Sequence, residues 1–232
     1  MDLNFYKSQL DEFVANSISD RPEFTEYKSF PCLNDNLTHT DYDTHYIYHV
    51  AWAIQKILSH KPDTHIDVSS SLNFCTSICS VVPTTFIDYR PASLYLNQLQ
   101  CVEGNLTDNS QWIGKKYKSL SCMHVVEHIG LGRYGDELDV NGDIKAMQNL
   151  ERALDYGGRL LFVVPVGRPQ IFFNAHRVYS SKWVVDFFEP KLKLAEFYFI
   201  PGPTTAPPLV NCDLSYSDDF EYGCGCFEFF KF

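Results

Sequence analysis

Positive charge is scarce in this 232-residue chain: 19 lysines and arginines stand against 29 aspartates and glutamates, a formal net charge of −10. Binding through the phosphate backbone of DNA or RNA needs a basic footprint, so nucleic acid is not the expected partner. Uninterrupted apolar runs of about 18 residues, long enough to span a bilayer, are absent as well. The start, Met1-Asp2-Leu3-Asn4, lacks the basic and apolar stretches of an export signal. A cytoplasmic protein with no membrane span is therefore expected. Closely paired cysteines are missing too. The eight cysteines are scattered, several inside apolar strand-like runs (Cys75, Cys79, Cys101, Cys122), and a chain of this length needs no disulfide staples. Buried free thiols are expected. Only Cys224-Gly225-Cys226 approaches a metal-ligand spacing, and its single intervening residue puts both thiols on one strand face, which favours core packing. No metal is expected.

Apolar material is plentiful, with 45% hydrophobic and 15% aromatic residues, enough for a substantial core in one globular body. Residues 1 to about 40 lack a clean period and are punctuated by Arg21-Pro22, Phe30-Pro31 and Asn34-Asp35-Asn36, which predicts short helices and loops. This arm could cover a site or join an oligomer such as a homodimer. The main domain is expected over 41–232. Between Asp41 and Ser59, Tyr46, Ile47, Val50, Ala51, Ile54, Ile57 and Leu58 recur at helical spacing and predict a helix that packs on a sheet.

Short strands follow at 65–68 and 84–88, each carrying an aspartate, Asp67 and Asp88. A helical segment through Ile78 lies between them. The spacing predicts a helix over 92–97 and a strand over 100–102. From Ser119 to Gly167 the chain reads as one βαβ unit: a strand to Met123, the loop His124-Val125-Val126-Glu127-His128, a helix from about Asp143 to Leu154, and the apolar strand Leu160 to Val164. Tyr156-Gly157-Gly158 is expected to stop the helix, with Asn141 or Asp143 capping its start. A helix over 181–188 and strands over 192–200 and 223–230 complete the domain. The last two strands have no crossover helix between them, only a Pro/Gly-rich loop including Pro203, so an antiparallel hairpin at the sheet edge is expected. Phe172, Phe173, Trp183, Phe187 and Phe188 read as core. Polar groups just past the ends of parallel strands sit where open α/β sheets bind ligands, and His124, Glu127, His128 and His176 fall there. An acid closing the second strand about twenty residues after the first suits ribose hydroxyls.

This order of strands and acids resembles the class I S-adenosylmethionine-dependent methyltransferases over about residues 60–230. More narrowly, the run from His124 through Gly130-Leu131-Gly132-Arg133-Tyr134-Gly135 to Asp136, with Val164-Pro165-Val166-Gly167-Arg168 and Phe173-Asn174-Ala175-His176-Arg177-Val178-Tyr179, is similar to the domain of unknown function 268 family. That family is grouped with these methyltransferases and is often associated with surface-polysaccharide gene clusters. The resemblance implies a Rossmann-like α/β fold with a mostly parallel sheet and S-adenosylmethionine as cofactor. It places Asp67, Ser69, Ser70 and Ser71 at the first motif, Asp88 at the ribose, and Tyr89, Asn105 and Leu106 beside the adenine. Cys122, Met123 and His124 would line the methionine end. One departure stands out: three serines occupy a turn where these enzymes usually place glycines, which permit close backbone approach.

Methyl transfer to a hydroxyl is an in-line displacement that benefits from a base on the hydroxyl proton. His176 and His128 are the candidates, with Glu127 beside them. Arg133, Arg168 and Arg177 could pair with an anionic group on the acceptor, with Tyr134 in the same loop, or with local acids. The Asp139-Val140-Asn141-Gly142-Asp143 run faintly resembles a calcium loop, although a solvated turn and helix cap is the stronger reading. The expected function is O-methylation of a small acceptor, such as a sugar, nucleotide-sugar or related polysaccharide precursor. Two alternatives remain open: a catalytically silent binding or scaffold module, if the serines fill the cofactor turn, and other chemistry on the same fold.

Overall fold

The computed structural model describes residues 2–17, 26–202 and 206–232; Arg21-Pro22 and Pro203 lie outside them. The chain divides into two compact units, Met1–Tyr42 and Asp43–Phe232. In the first, Leu3–Ser17 (α1) forms one continuous helix rather than several short ones. Asp2 begins it, its carboxylate accepting from the Asn4 and Phe5 amides at 2.8 and 2.9 Å, which satisfies donors a helix start leaves open.

The second unit opens with the helix Thr44–His60 (α2), capped by Asp43 and closed at Lys61, whose φ is 49°. Its buried face is not the expected aliphatic one: His45, His49, Trp52, Ala53 and Ile57 point inward, while Tyr46, Ile47 and Leu58 are exposed. Trp52 Nε1 donates to Glu196 at 2.9 Å, and the two histidines meet other polar rings. Inward partners, rather than hydropathy alone, therefore set the rotation of this helix.

The strands His65–Val68 (β1), Thr84–Asp88 (β2), Leu99–Glu103 (β3), Tyr117–Met123 (β4) and Leu154–Val166 (β5) pair in parallel. After the short pair Gln170–Phe172 (β6) and His176–Val178 (β7), Leu192–Ile200 (β8), Leu209–Val210 (β9) and Gly223–Lys231 (β10) join the main sheet antiparallel. The sheet order is β3-β2-β1-β4-β5-β10-β8-β9. The antiparallel edge therefore forms as expected, with the final strand inserted between β5 and β8. Because β10 runs opposite to β5, its first residues lie beside the last residues of β5, Gly223 opposite Val166. Gly223 and Cys224 thus share the sheet edge with the carboxyl ends of β1 to β5.

Helices cover both faces, as parallel strands require. Leu72–Ile78 (α3) joins α2 on one side; Asn109–Trp112 (α4), Gly142–Ala153 (α5) and Ser181–Phe188 (α6) are the other α-helices among the described residues of this unit. A core containing Leu120, Phe162, Phe188, Phe197, Phe227 and Phe229 fills one layer, and Trp52, Phe74, Leu161, Val163, Cys224 and Cys226 contribute to a second. Three local expectations are corrected. Residues 92–96 carry no helix, since Pro91 and a three-residue apolar cluster are too little to nucleate one. The α5 helix ends at Ala153, before the glycines, and Gly157 sits within β5 at φ +70°, near the shifted pairing of β5 with β4. Phe172, Phe173 and Trp183 are exposed, leaving Phe188 as the fully buried member of that aromatic set. All eight cysteines are free, and no described helix is long and apolar enough to cross a membrane.

Candidate functional site

At the carboxyl ends of β1, β2, β3 and β4 a cavity of about 610 Å³ opens, lined among others by Ser69, Asp88, Tyr89, Asn105, Leu106, His124, His128 and Tyr134. Its size lies within the range of small-molecule and cofactor sites, about 300–1,000 Å³. The serine turn leaves it open. Ser69 adopts φ 54°, the left-handed conformation glycine would take without strain, and its hydroxyl donates to the Ile87 carbonyl at 3.1 Å. The Ser70 hydroxyl accepts from the Met123 amide at 3.1 Å. The Ser71 hydroxyl accepts from the Phe74 amide at 3.2 Å and caps α3. All three side chains bond to the chain's own backbone, and of the three only Ser69 reaches the lining.

Asp88 ends β2 on the cavity wall, one carboxylate oxygen accepting from the Arg90 amide at 2.7 Å. Across from it, Asn105 is fixed by the Thr107 amide and hydroxyl, at 2.9 and 2.8 Å. Gly104 is required where it stands, because a Cβ there would meet Ile87 Cγ2 at 2.4 Å. The loop after β4 makes the opposite wall. Asp136 gathers the Gly130, Gly132 and Tyr134 amides at 2.7, 3.3 and 3.1 Å, which hold its carboxyl below the usual range against the effect of burial. The Tyr134 ring lies under two guanidiniums, Arg90 and Arg133, each 5.1 Å from its centre.

Asp67, Cys122 and Met123 are not at the cavity surface; each is at most 1% exposed. Asp67 belongs to a buried chain instead. Ser121 Oγ donates to Asp67 at 2.5 Å, and His65 contacts Ser121 and Ser119 through Nε2 and Nδ1 at 2.9 and 2.7 Å. Burial raises the Asp67 carboxyl to about 7 and lowers the His65 imidazole to about 3, so the chain favours two neutral groups joined by hydroxyls.

The histidines gather as the sequence suggests, with distinct surroundings. His128 Nδ1 lies 2.6 Å from the Ala175 carbonyl, which makes Nδ1 the donor and leaves Nε2 to accept. Nε2 stands 3.7 Å from Glu127 Oε1. His124, at φ 57°, places Nδ1 2.9 Å from Glu127 Oε1 and Nε2 3.4 Å from Cys224 Sγ. Burial alone would lower this imidazole, yet the Cys224 sulfur and the Glu127 carboxylate raise it to about 10. His176 lies off the cavity lining, packed against Phe172, Tyr222 and His128, and burial lowers its imidazole. Arg177 is buried and bonds the Ile129 carbonyl at 2.7 Å, with Asp143 at 3.5 Å; it braces the loop rather than facing the cavity. Arg168 is exposed and also off the lining.

Sequence reasoning missed His45, His49 and Tyr222, whose rings stack or pack on His124 or on one another, and the lining residues Arg90 and Lys145. The signal for the first two was available: imidazoles at i and i+4 on a helix share one face.

Residues 92–189 match the model of the family described as Caenorhabditis protein of unknown function, DUF268, and all three motif runs, His124–Asp136, Val164–Arg168 and Phe173–Tyr179, fall inside this segment. No curated protein matches the chain. Among solved structures it is similar to the N-methyltransferase NodS from Bradyrhizobium japonicum WM9, at TM-score 0.58 and 12% identity over 83% of this chain and 99% of that one. It is similar to magnesium protoporphyrin IX methyltransferase from Synechocystis PCC 6803 with bound SAM, at TM-score 0.53 and 13% identity over 100% and 99%. The cyclase SpnF also matches, at TM-score 0.54 and 9% identity over 78% and 81%. The fold is that of the Rossmann-like class I methyltransferases.

Proposed function

We propose that this chain binds S-adenosylmethionine in the cavity at the ends of β1 to β4 and methylates a hydroxyl of a small acceptor, such as a sugar, nucleotide-sugar or polysaccharide precursor. The observation that carries the reading is the open serine turn facing Asp88. Three residues that could have filled the cofactor turn are bonded to backbone groups instead, and a carboxylate stands where ribose hydroxyls would be gripped. This favours a working cofactor site over a silent scaffold.

When bound, the cofactor supplies a methyl group on a sulfonium. The chain's own residues supply the rest. Asp88 accepts from the ribose hydroxyls, and Tyr89, Asn105 and Leu106 border the adenine. His128 is the base: its Nδ1 is committed to Ala175, so Nε2 takes the acceptor proton, and Glu127 steadies the charge that follows. Glu127 also orients His124 at the methionine end. His176 supports His128 edge-on at 6.4 Å between ring centres. The cavity lining carries Asp88, Asp136, Glu137 and Asp139 against Arg90 and Lys145, an acidic balance that suits a neutral polyol better than a heavily phosphorylated acceptor.

A cocrystal with the demethylated cofactor tests this reading. Ribose oxygens within hydrogen-bond reach of Asp88, with the sulfur directed toward His124 and His128, would support it. Ligand density elsewhere would overturn it. Because a cyclase shares the fold, transfer is checked separately by mass spectrometry of candidate acceptors incubated with S-adenosylmethionine, where an added methyl group is expected.

A further inference from the structure

Behind the cavity wall, three donors from distant parts of the sequence converge: His45 from the first turn of α2, His124 just past β4 and Cys224 at the start of β10. One ligand atom from each lies within 4.8 Å of the other two. His45 Nε2 is buried and has no hydrogen-bond partner, a costly state for a ring nitrogen unless something occupies the space before it. His124 Nε2 and Cys224 Sγ are already 3.4 Å apart, close to the roughly 3.4–3.8 Å between neighbouring ligands that zinc–nitrogen and zinc–sulfur bond lengths impose. A small inward movement of His45 would complete the set.

We propose that His45, His124 and Cys224 bind one zinc ion. Two imidazoles and a thiolate are borderline and soft donors, which suit zinc and not magnesium or calcium. The surroundings are those of a metal-binding imidazole. Glu127, 1% exposed, accepts from His124 Nδ1–H at 2.9 Å, which turns Nε2 toward the site, where binding of the ion would displace its proton; a carboxylate behind a ligating histidine is a recurrent metal support. Tyr222 stacks on the His45 ring at 5.3 Å and Tyr46 on His124 at 5.3 Å, fixing both ring planes. Cys226 Sγ lies 3.9 Å from Cys224 Sγ and can enter as a fourth donor. His124 also lines the cavity, so the ion has an entry path. The site does not depend on cofactor binding, and it revises the expectation that the Cys224-Gly225-Cys226 pair only packs the core.

The test is titration of the full, reduced chain with cobalt(II), a spectroscopic substitute for zinc. One equivalent should bind, giving visible bands of tetrahedral intensity and a thiolate-to-cobalt charge-transfer band in the near ultraviolet, and one equivalent of zinc should displace it. Cys224→Ser should weaken the charge-transfer band and Cys224→Ser with Cys226→Ser should abolish it, whereas Cys75→Ser should keep it. His45→Gln should weaken binding at least about tenfold, and Glu127→Gln by about tenfold. Since a variant could fail to fold, X-ray absorption at the zinc edge of the unmodified protein is the second arm, and a mixed nitrogen and sulfur shell is expected. No stoichiometric cobalt binding, a charge-transfer band unchanged in Cys224→Ser, or a zinc shell without sulfur would each overturn the proposal.

Discussion

The two halves of the strand-tip edge are built on opposite plans. On the β1–β3 side the cavity wall includes turn backbone and the short residues Ser69, Gly104 and Asn105, with Asp88 the strand-ending acid that reaches the lining. On the β4–β10 side, imidazoles and tyrosines crowd together, with His124 within 6.2 Å of the His45, Tyr46 and His49 ring centres. The first half makes space and presents hydrogen-bonding groups. The second supplies reactive side chains and holds them by packing. A backbone-built wall tolerates changes of side chain, whereas a packed wall does not.

The largest effect is expected in the packed half. Phe227 on β10 is fully buried and stacks on Phe197 at 5.0 Å, so Phe227→Ala should cost about 3–5 kcal/mol in denaturant unfolding. A loss under 1 kcal/mol would mean that this half is loosely packed.

Next comes Asp67 beneath the cavity wall. Its carboxyl is raised to about 7 from 3.8, so the native state holds a proton that the unfolded chain releases, and stability falls as pH rises across that window. The effect of His65, lowered to about 3 from 6.5, has the opposite sign: stability is lost as pH falls from about 6.5 toward 3. The two contributions cancel between about pH 4 and 6.5. Asp67→Asn keeps an acceptor for Ser121 and cannot ionise, so at pH 8 it should be more stable than the parent by about 2–4 kcal/mol, and close to it at pH 4. Thermal melts at the two pH values decide; a variant less stable at both would sink the assignment of a neutral Asp67.

A smaller effect is expected at Asp88. Removing the carboxylate with Asp88→Ala should weaken cofactor affinity about 10–100-fold and leave the melting temperature nearly unchanged, since the group is only half-buried. Smallest of all is Ser69→Gly. It relieves a left-handed serine and gives up one hydroxyl bond to Ile87, two terms of opposite sign near 1 kcal/mol. Cofactor affinity should stay within about threefold. A large gain would show that the serine had been obstructing the turn after all.

Much of the fold was legible in the sequence because its signals are local. The apolar runs at 65–68, 84–88 and 119–123 and the motif runs after β4 all state their structure in a few neighbouring residues. The strand-end positions of this wall were legible for the same reason, since an acid at a strand end is placed by the strand itself: Asp88, Asn105 and Leu106 all line the cavity. What was illegible depends on long-range meetings. The inward face of α2 is set by partners on β4, β8 and β10, so its histidines were passed over in favour of Ile47 and Leu58. Cys224 finds His124 across 100 residues of sequence, and the strand insertion that brings them together has no local mark. Arg177 read equally as an anion binder or as the partner of a local acid, because the guanidinium fork suits both; the structure gives it the Ile129 carbonyl and Asp143.

The most direct test of the central claim is calorimetric titration of the purified chain with S-adenosylmethionine and its demethylated product. A single site with dissociation constants on the order of micromolar, weakened in Asp88→Ala and preserved in Ser69→Gly, is the predicted result. No heat and no thermal shift at millimolar ligand, or equal binding by the parent and Asp88→Ala, would contradict it.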